Sequence, residues 1–364
     1  MIPIAKPIIE EEEKKAVMDV LNSGMLAQGS KVKELEETFA KICGTKYAVA
    51  VNSGTAAIHT ALYAIGIKEG DEIITTPFTF VATANPILMQ RAKIVFADIN
   101  KDTFNLDPAD VKKKITKKTK AIISVDLFGQ PADYNELNKI ANEHNIILVE
   151  DACQAVNAEY EGKKTGSLAK VAAFSLYATK NITSGEGGLL TTNDEEIYDK
   201  ARMFRHHGQS EKTKYQYFDL GYNYRMTDMQ AAIALAQLKK LDDFTNKRIK
   251  NAKLLSEGLK NIPGIKIPAV ISRAKHVFHQ YTIKVDGFKK TRDEIMEYLK
   301  SNGVGSAVFY PKPLHLHPHF MKLGYNEGDF PIAEQVAKQV LSLPIHPSVT
   351  DRDIKTIIES FKAA

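Results

Sequence analysis

Tryptophan is absent from the 364 residues, and cysteine occurs only at Cys43 and Cys153. Two distant cysteines form neither a CxxC pair nor the disulfide framework of a small secreted scaffold. Long apolar runs are missing too: none approaches the roughly 20 residues of a membrane-spanning helix. The chain starts Met-Ile-Pro-Ile-Ala-Lys-Pro and runs into Glu10–Glu13, the reverse of the basic-then-apolar order of a secretory signal. Excess charge of one sign is small: 49 Lys and Arg against 44 Asp and Glu leave +5. The one dense basic run, Lys112–Lys114 with Lys117, Lys118 and Lys120, has no interleaved aromatics. It therefore predicts a solvated helix face and loop, not a nucleic-acid groove. Together these absences predict a cytoplasmic protein with no membrane or nucleic-acid partner. The 44% of apolar residues suffices for a sizeable core.

What is present is alternation. Tyr47–Val51, Glu72–Thr75, Lys93–Ala97, Ala121–Val125, Ile146–Val149, Val171–Ser175 and Gly188–Thr192 read as short apolar strands. Between them, Ala56–Ile65, Thr79–Met89, Pro108–Lys114 and Asp133–His144 read as helices, and Glu195–Phe204 follows the last strand. Two helices, Glu10–Leu21 and Val32–Cys43, precede the first strand. Strand–helix alternation implies crossovers and a mostly parallel sheet covered on both faces. A long helical region from Thr227 to Leu259 follows. Past Pro263-Gly264 the order changes: strand Gln280–Val285, helix Thr291–Asn302, strand Gly305–Phe309, then helices Pro331–Val340 and Asp351–Phe361. This predicts an α/β architecture with a large domain, residues 1–245, and a smaller C-terminal α/β domain, residues 246–364. The N-terminal helix is placed on the smaller domain.

Ligands of open parallel sheets bind beyond the carboxyl ends of the strands. Ser53-Gly54-Thr55 lies between a strand and a helix, where free amides and hydroxyls suit a phosphate, or simply cap the helix. Asp151 closes another strand; a carboxylate there binds a metal, pairs with a base or caps a turn. Ser175 closes a third, and Lys180 follows before Gly185-Glu186-Gly187-Gly188. Lysine before the glycines is the wrong order for a phosphate-binding Walker loop, and no GxGxxG follows the first strand. Burial between two strands would lower the Lys180 pKa and free its amine as a nucleophile. Together these residues match the needs of pyridoxal phosphate (PLP). Its aldehyde takes a lysine, its pyridine nitrogen a carboxylate, its phosphate a helix start, and its ring a flat partner such as Phe80.

Six segments resemble, in order, the DegT/DnrJ/EryC1/StrS family of sugar aminotransferases. They are Ser53-Gly-Thr-Ala-Ala, Thr76-Pro-Phe-Thr-Phe, Glu150-Asp-Ala-Cys-Gln, Ser175 through Gly188, Gly221-Tyr-Asn-Tyr-Arg-Met-Thr-Asp and Tyr310-Pro-Lys-Pro-Leu-His. The resemblance implies a fold-type I PLP-dependent transferase working as a homodimer with shared active sites. It implies that Lys180 holds the cofactor as a Schiff base and that Asp151 faces the pyridine nitrogen. Gln154 would meet the phenolic oxygen, and Gly54, Thr55 and Ser175 the phosphate. Phe80 would stack on the ring, and Asn223 would reach the phosphate of the neighbouring subunit. Cys153 stands where the family often has alanine and reads as a small buried residue.

The substrates implied are an amino-acid donor, glutamate foremost, and a nucleotide-linked keto sugar, with C3 and C4 ketones both open. Arg225 would meet the sugar's diphosphate or make structural ion pairs. His315 would face the sugar, and Glu186 would position Lys180 or the sugar or fix its own loop. His315, His317 and His319 alternate, but Pro318 and the lack of nearby cysteines favour a solvated loop over a metal site. Family members that dehydrate carry histidine in place of the lysine, so Lys180 favours amino transfer. The alternatives are a PLP-dependent dehydratase or epimerase, and a non-catalytic PLP- or sugar-sensing regulator.

Overall fold

A computed structural model describes residues 1–210, 213 and 215–364. Seven strands form the main sheet: β1 Tyr47–Val51, β2 Glu72–Thr75, β3 Lys93–Phe96, β4 Thr119–Val125, β5 Ile147–Asp151, β6 Val171–Ser175 and β7 Gly188–Thr192. Their order is β1-β7-β6-β5-β4-β2-β3. From β6 to β3 every pairing is parallel. β7 alone is antiparallel to both neighbours, β6 and β1. Both faces of the sheet are covered, so strands such as Val171–Ser175 are buried throughout.

The direction of β7 matters for the site. Because it runs backwards, its first residue, Gly188, pairs with Ser175 and Val51, the last residues of β6 and β1. The glycine-rich loop after Lys180 thus returns to the edge where β1, β5 and β6 end. Only glycine fits at 188, since a Cβ there would lie 2.3 Å from the Ser53 carbonyl oxygen.

A separate antiparallel sheet joins Ile265–Lys266, Tyr281–Val285 and Val340–Leu343. Helices Leu241–Leu259, Arg292–Ser301 and Asp351–Ala363 pack on it around Leu255, Ile283, Leu299 and Ile357. Helix Leu241–Leu259 spans both parts, with Leu241 in a core of the main sheet and Leu259 in that of the small one.

The mostly parallel α/β sheet is as expected, and the differences are local. The helical region expected from Thr227 to Leu259 is made of two helices, Asp228–Leu238 and Leu241–Leu259. Lys240 lies between them, and its amine is held by Glu10 and Glu13. The same contacts seat the N-terminal helix, Glu11–Ser23, on Asp228–Leu238 and not on the small sheet. The expected helix Thr79–Met89 is a 3₁₀ turn, Val81–Thr83, and a short helix, Asn85–Met89, because Pro86 has no N–H to continue the ladder. Gly305–Phe309 makes a single bridge, Ala307 to Ser342, instead of a strand. The end of the expected Pro331–Val340 helix turns into the strand Val340–Leu343.

Candidate active site

The strand ends enclose a cavity of about 680 Å³, well within the range of small-molecule sites. Eight of the residues singled out in the sequence line it: Gly54, Thr55, Phe80, Asp151, Gln154, Ser175, Lys180 and Glu186.

One side is the start of helix Gly54–Ala64. Ser53 is extended (φ −165°) and its hydroxyl accepts the Ala56 N–H at 3.1 Å, which turns the chain from β1 into the helix. The first amides of that helix carry the positive end of its dipole, which suits an anion. Gly54 sits so close to β6 that a Cβ would fall 2.8 Å from the Ser175 Cβ and 3.2 Å from the Cys153 sulfur. Gly54→Ala is therefore expected to overpack the site and cost about 1–3 kcal/mol, measured by urea denaturation. A fully stable variant would mean that the strand ends are looser than described.

The opposite side is built on β5. Asp151 is buried, and its Oδ2 accepts the Thr83 hydroxyl at 2.7 Å while its Oδ1 accepts the Cys153 N–H at 3.2 Å. Thr83 is itself hydrogen-bonded to Thr79 at 2.9 Å. Gln154 is held at both ends: its Oε1 accepts the Phe128 N–H at 2.8 Å and its Nε2 donates to the Tyr310 hydroxyl at 3.2 Å. Phe80 is 56% exposed in this chain and lies nearly parallel to Tyr310, with ring centroids 6.3 Å apart. An apolar ring held open to a cavity is a surface for stacking.

Lys180 comes from the loop between β6 and β7, where its N–H donates to the Tyr177 carbonyl at 2.9 Å. Burial of its amine holds the pKa below the ordinary lysine value, and the nearby Cys153 and Asp151 act the other way. His279, also on the cavity, is kept neutral by burial and by the charges of Lys180 and Arg248. A less basic amine, a fixed carboxylate and an anion cradle thus share one enclosed space.

Thr83, Tyr310 and His279 also line the cavity, and sequence reasoning assigned them no role. Thr83 and Tyr310 lie in or beside the segments that drew attention, but nothing in their spacing shows that they turn inward.

Three expected residues are not brought to this cavity. Arg225 donates to His206 Nδ1 at 2.6 Å, and Asn223 bridges the same His206 through the backbone. His315 is fully buried, with Nε2 2.9 Å from Glu334, whose carboxylate also accepts the Gly328 N–H. The sequence expectation that His315 faces a sugar is corrected by this burial: it ties the 314–316 turn to helix Pro331–Gln339. His315→Ala is expected to cost about 1–3 kcal/mol by emptying a fully buried site and removing one partner of Glu334, with kcat preserved. Lost kcat at unchanged stability would return His315 to the substrate.

Known proteins are similar to this chain along nearly its full length. Residues 7–362 match the DegT/DnrJ/EryC1/StrS aminotransferase family. The spore coat polysaccharide biosynthesis protein SpsC of Bacillus subtilis is 41% identical, covering 99% of this chain and 96% of the relative. GDP-perosamine synthase of Caulobacter vibrioides is 38% identical, covering 98% and 96%. The PLP form of a sugar aminotransferase, Spr1654 of Streptococcus pneumoniae, superposes with a TM-score of 0.94 at 31% identity, covering 100% of this chain and 98% of that one. With Lys180 and the buried Asp151 joined in one cavity, and with this match along nearly its full length, the chain belongs to the DegT/DnrJ/EryC1/StrS aminotransferase family.

Proposed function

We propose that the protein uses PLP to move an amino group from an amino acid, with glutamate the first donor to test, to the keto group of a nucleotide-linked sugar. The observation that carries this is the shared cavity of Lys180 and Asp151 beside the glycine-tight helix start at Gly54. The residues suit the group. The Gly54 amide, Thr55 and Ser175 would take its phosphate, and Asp151 its ring nitrogen. Gln154 would take its phenolic oxygen and Phe80 one face of its ring. When bound, PLP supplies an electron sink that lets a C–H bond beside the transferred nitrogen ionise.

The protein's own groups do the rest. Lys180 Nζ would hold the cofactor by its aldehyde, and its free amine would serve as the base and acid for the proton at the donor's α-carbon. Thr83 and the Cys153 N–H hold Asp151, whose carboxylate would keep the ring nitrogen protonated. The Tyr310 hydroxyl holds the Gln154 amide in place. Asn223 and Arg225 lie outside this chain's cavity, near the exposed Tyr215, Tyr217, Phe218 and Leu220. Their position supports a homodimer in which Asn223 completes the neighbour's phosphate site and Arg225 approaches the neighbour's substrate.

Glutamate given to the PLP-loaded protein without any sugar is expected to release about one 2-oxoglutarate per active site and then stop. A dehydratase or epimerase would release none, and that result would overturn the proposal. A panel of 3-keto and 4-keto nucleotide sugars, with products identified by mass and NMR, then names the acceptor.

A further inference from the structure

Behind Asp151, on the other side of the sheet, two carboxyl groups meet without a cation. Side chains alternate along a strand, so Asp151 and Glu150 leave β5 on opposite faces. Asp151 turns to the cavity. Glu150 turns to the far face and pairs there with Ser124 of β4, and Asp126, two residues past Ser124 and just beyond the end of β4, lies on that same face. Both Glu150 and Asp126 are fully buried.

Their hydrogen bonds show what is missing. Glu150 Oε1 accepts the Gly166 N–H at 2.7 Å and Oε2 the Leu168 N–H at 3.2 Å. Asp126 Oδ1 accepts both the Ala132 N–H at 3.0 Å and the Tyr134 hydroxyl at 2.9 Å. Asp126 Oδ2 has no donor among the described residues. Two adjoining carboxylates cannot both stay charged in a buried site, but one proton turns the repulsion into a strong O–H···O⁻ bond.

We propose that Asp126 and Glu150 share a single proton, carried on Asp126 Oδ2, and that this acid–carboxylate pair positions Asp151. The mechanical link is short: the Asp126 N–H donates to the Asp151 carbonyl at 3.0 Å, and Glu150 is the residue before it. The shared proton is a property of the chain alone. Only its bearing on the cofactor rests on the function proposed above.

The groups acting on the pair are Tyr134 from helix Tyr134–His144, Asp151 from β5 itself, and the thiols Cys43 and Cys153, which feel its charge. None is a cation; Lys164 and Lys180 bear on the two thiols. Burial first, then the Glu150 charge, pushes Asp126 up, while the N–H bonds from Gly166 and Leu168 and the proton on Asp126 work against the rise that burial gives Glu150. A raised folded value gives stability that is full at acid pH. For Asp126, which carries the proton, it is lost as pH climbs from its ordinary value, 3.8, through its raised folded value, a range in which the native state holds one proton more than the unfolded chain.

Asp126→Asn keeps the Oδ1 acceptor and places an N–H where the proton sits. Between pH about 5 and the raised folded value of Asp126, the unfolding constant of the natural protein is expected to rise, relative to this variant, about tenfold per pH unit. Parallel pH curves would overturn the shared proton. Infrared spectra of the natural protein at neutral pH should show the carbonyl stretch of a protonated carboxylic acid, absent in Asp126→Asn. If the natural protein lacks that band the proposal fails, whether or not the variant folds. For positioning, PLP affinity is expected to drop at least about tenfold in Asp126→Ala and to be restored in Asp126→Asn. Unchanged affinity in Asp126→Ala would leave a shared proton that does not position Asp151. If the natural protein binds no PLP at all, the functional proposal fails while the stability and infrared results still decide the proton.

Discussion

Lys180→Ala is expected to lower the rate of amino transfer by at least about 10⁴-fold, because it removes the nucleophile and the proton carrier in one step. No other side chain on the cavity replaces it. His279 is held neutral, and its Nδ1 is engaged with Asn181 at 3.2 Å. Lys180→Arg sharpens the test. It keeps a positive charge near Asp151, but guanidinium does not lose its proton in proteins and so offers no free amine. Both variants are expected to be equally inactive while retaining native circular dichroism. Activity surviving in the arginine variant would mean that Lys180 serves only as a charge. The effect on folding should be small, since Lys180 lies in a loop whose backbone bonds, such as that to Tyr177, do not involve the side chain.

The second largest loss is expected from Asp151→Asn. The shape is preserved, and Oδ1 still accepts the Cys153 N–H. The amide cannot carry the negative charge that keeps a pyridine nitrogen protonated, so kcat should fall by about 10²–10⁴-fold. The neighbour that holds Asp151 should matter less. Thr83→Val removes one hydrogen bond to a charged group, about 1.5–3 kcal/mol, and is expected to cost about 10- to 100-fold. An equal loss in Asp151→Asn and Thr83→Val would indicate that orientation, not charge, is what Asp151 contributes. Stopped-flow measurement of 2-oxoglutarate release with glutamate alone separates the two, because it follows the first half of the reaction only.

The strands were legible because each carries its own signal. β1, β2, β6 and β7 begin and end where the apolar runs do, and the residues that close β5 and β6, with the turn that follows β1, are those that meet at the cavity. The departures come from contacts that span the chain. The Lys239–Lys240 break depends on Glu10 and Glu13, more than 220 residues away in sequence. Val340–Leu343 reads as the end of a helix until Tyr281–Val285 offers it a partner edge. The site was legible wherever a residue type alone suggests chemistry, as with Lys180 and Asp151. It was not legible where a common residue acquires a role from its direction. Thr83 is one hydroxyl among many, and Tyr310 faces Gln154 only because the 305–310 segment runs past the small sheet with a single bridge. His315 shows the reverse: a reactive residue type in a marked motif, turned inward to a structural carboxylate.

The most direct test of the active-site assignment is chemical trapping. The natural protein is loaded with PLP, reduced with borohydride, digested, and its peptides are weighed. One pyridoxyl group is expected, on the peptide containing Lys180, and none after Lys180→Ala. A label on another lysine, or no label at all, would contradict the placement of the cofactor between Lys180 and Asp151.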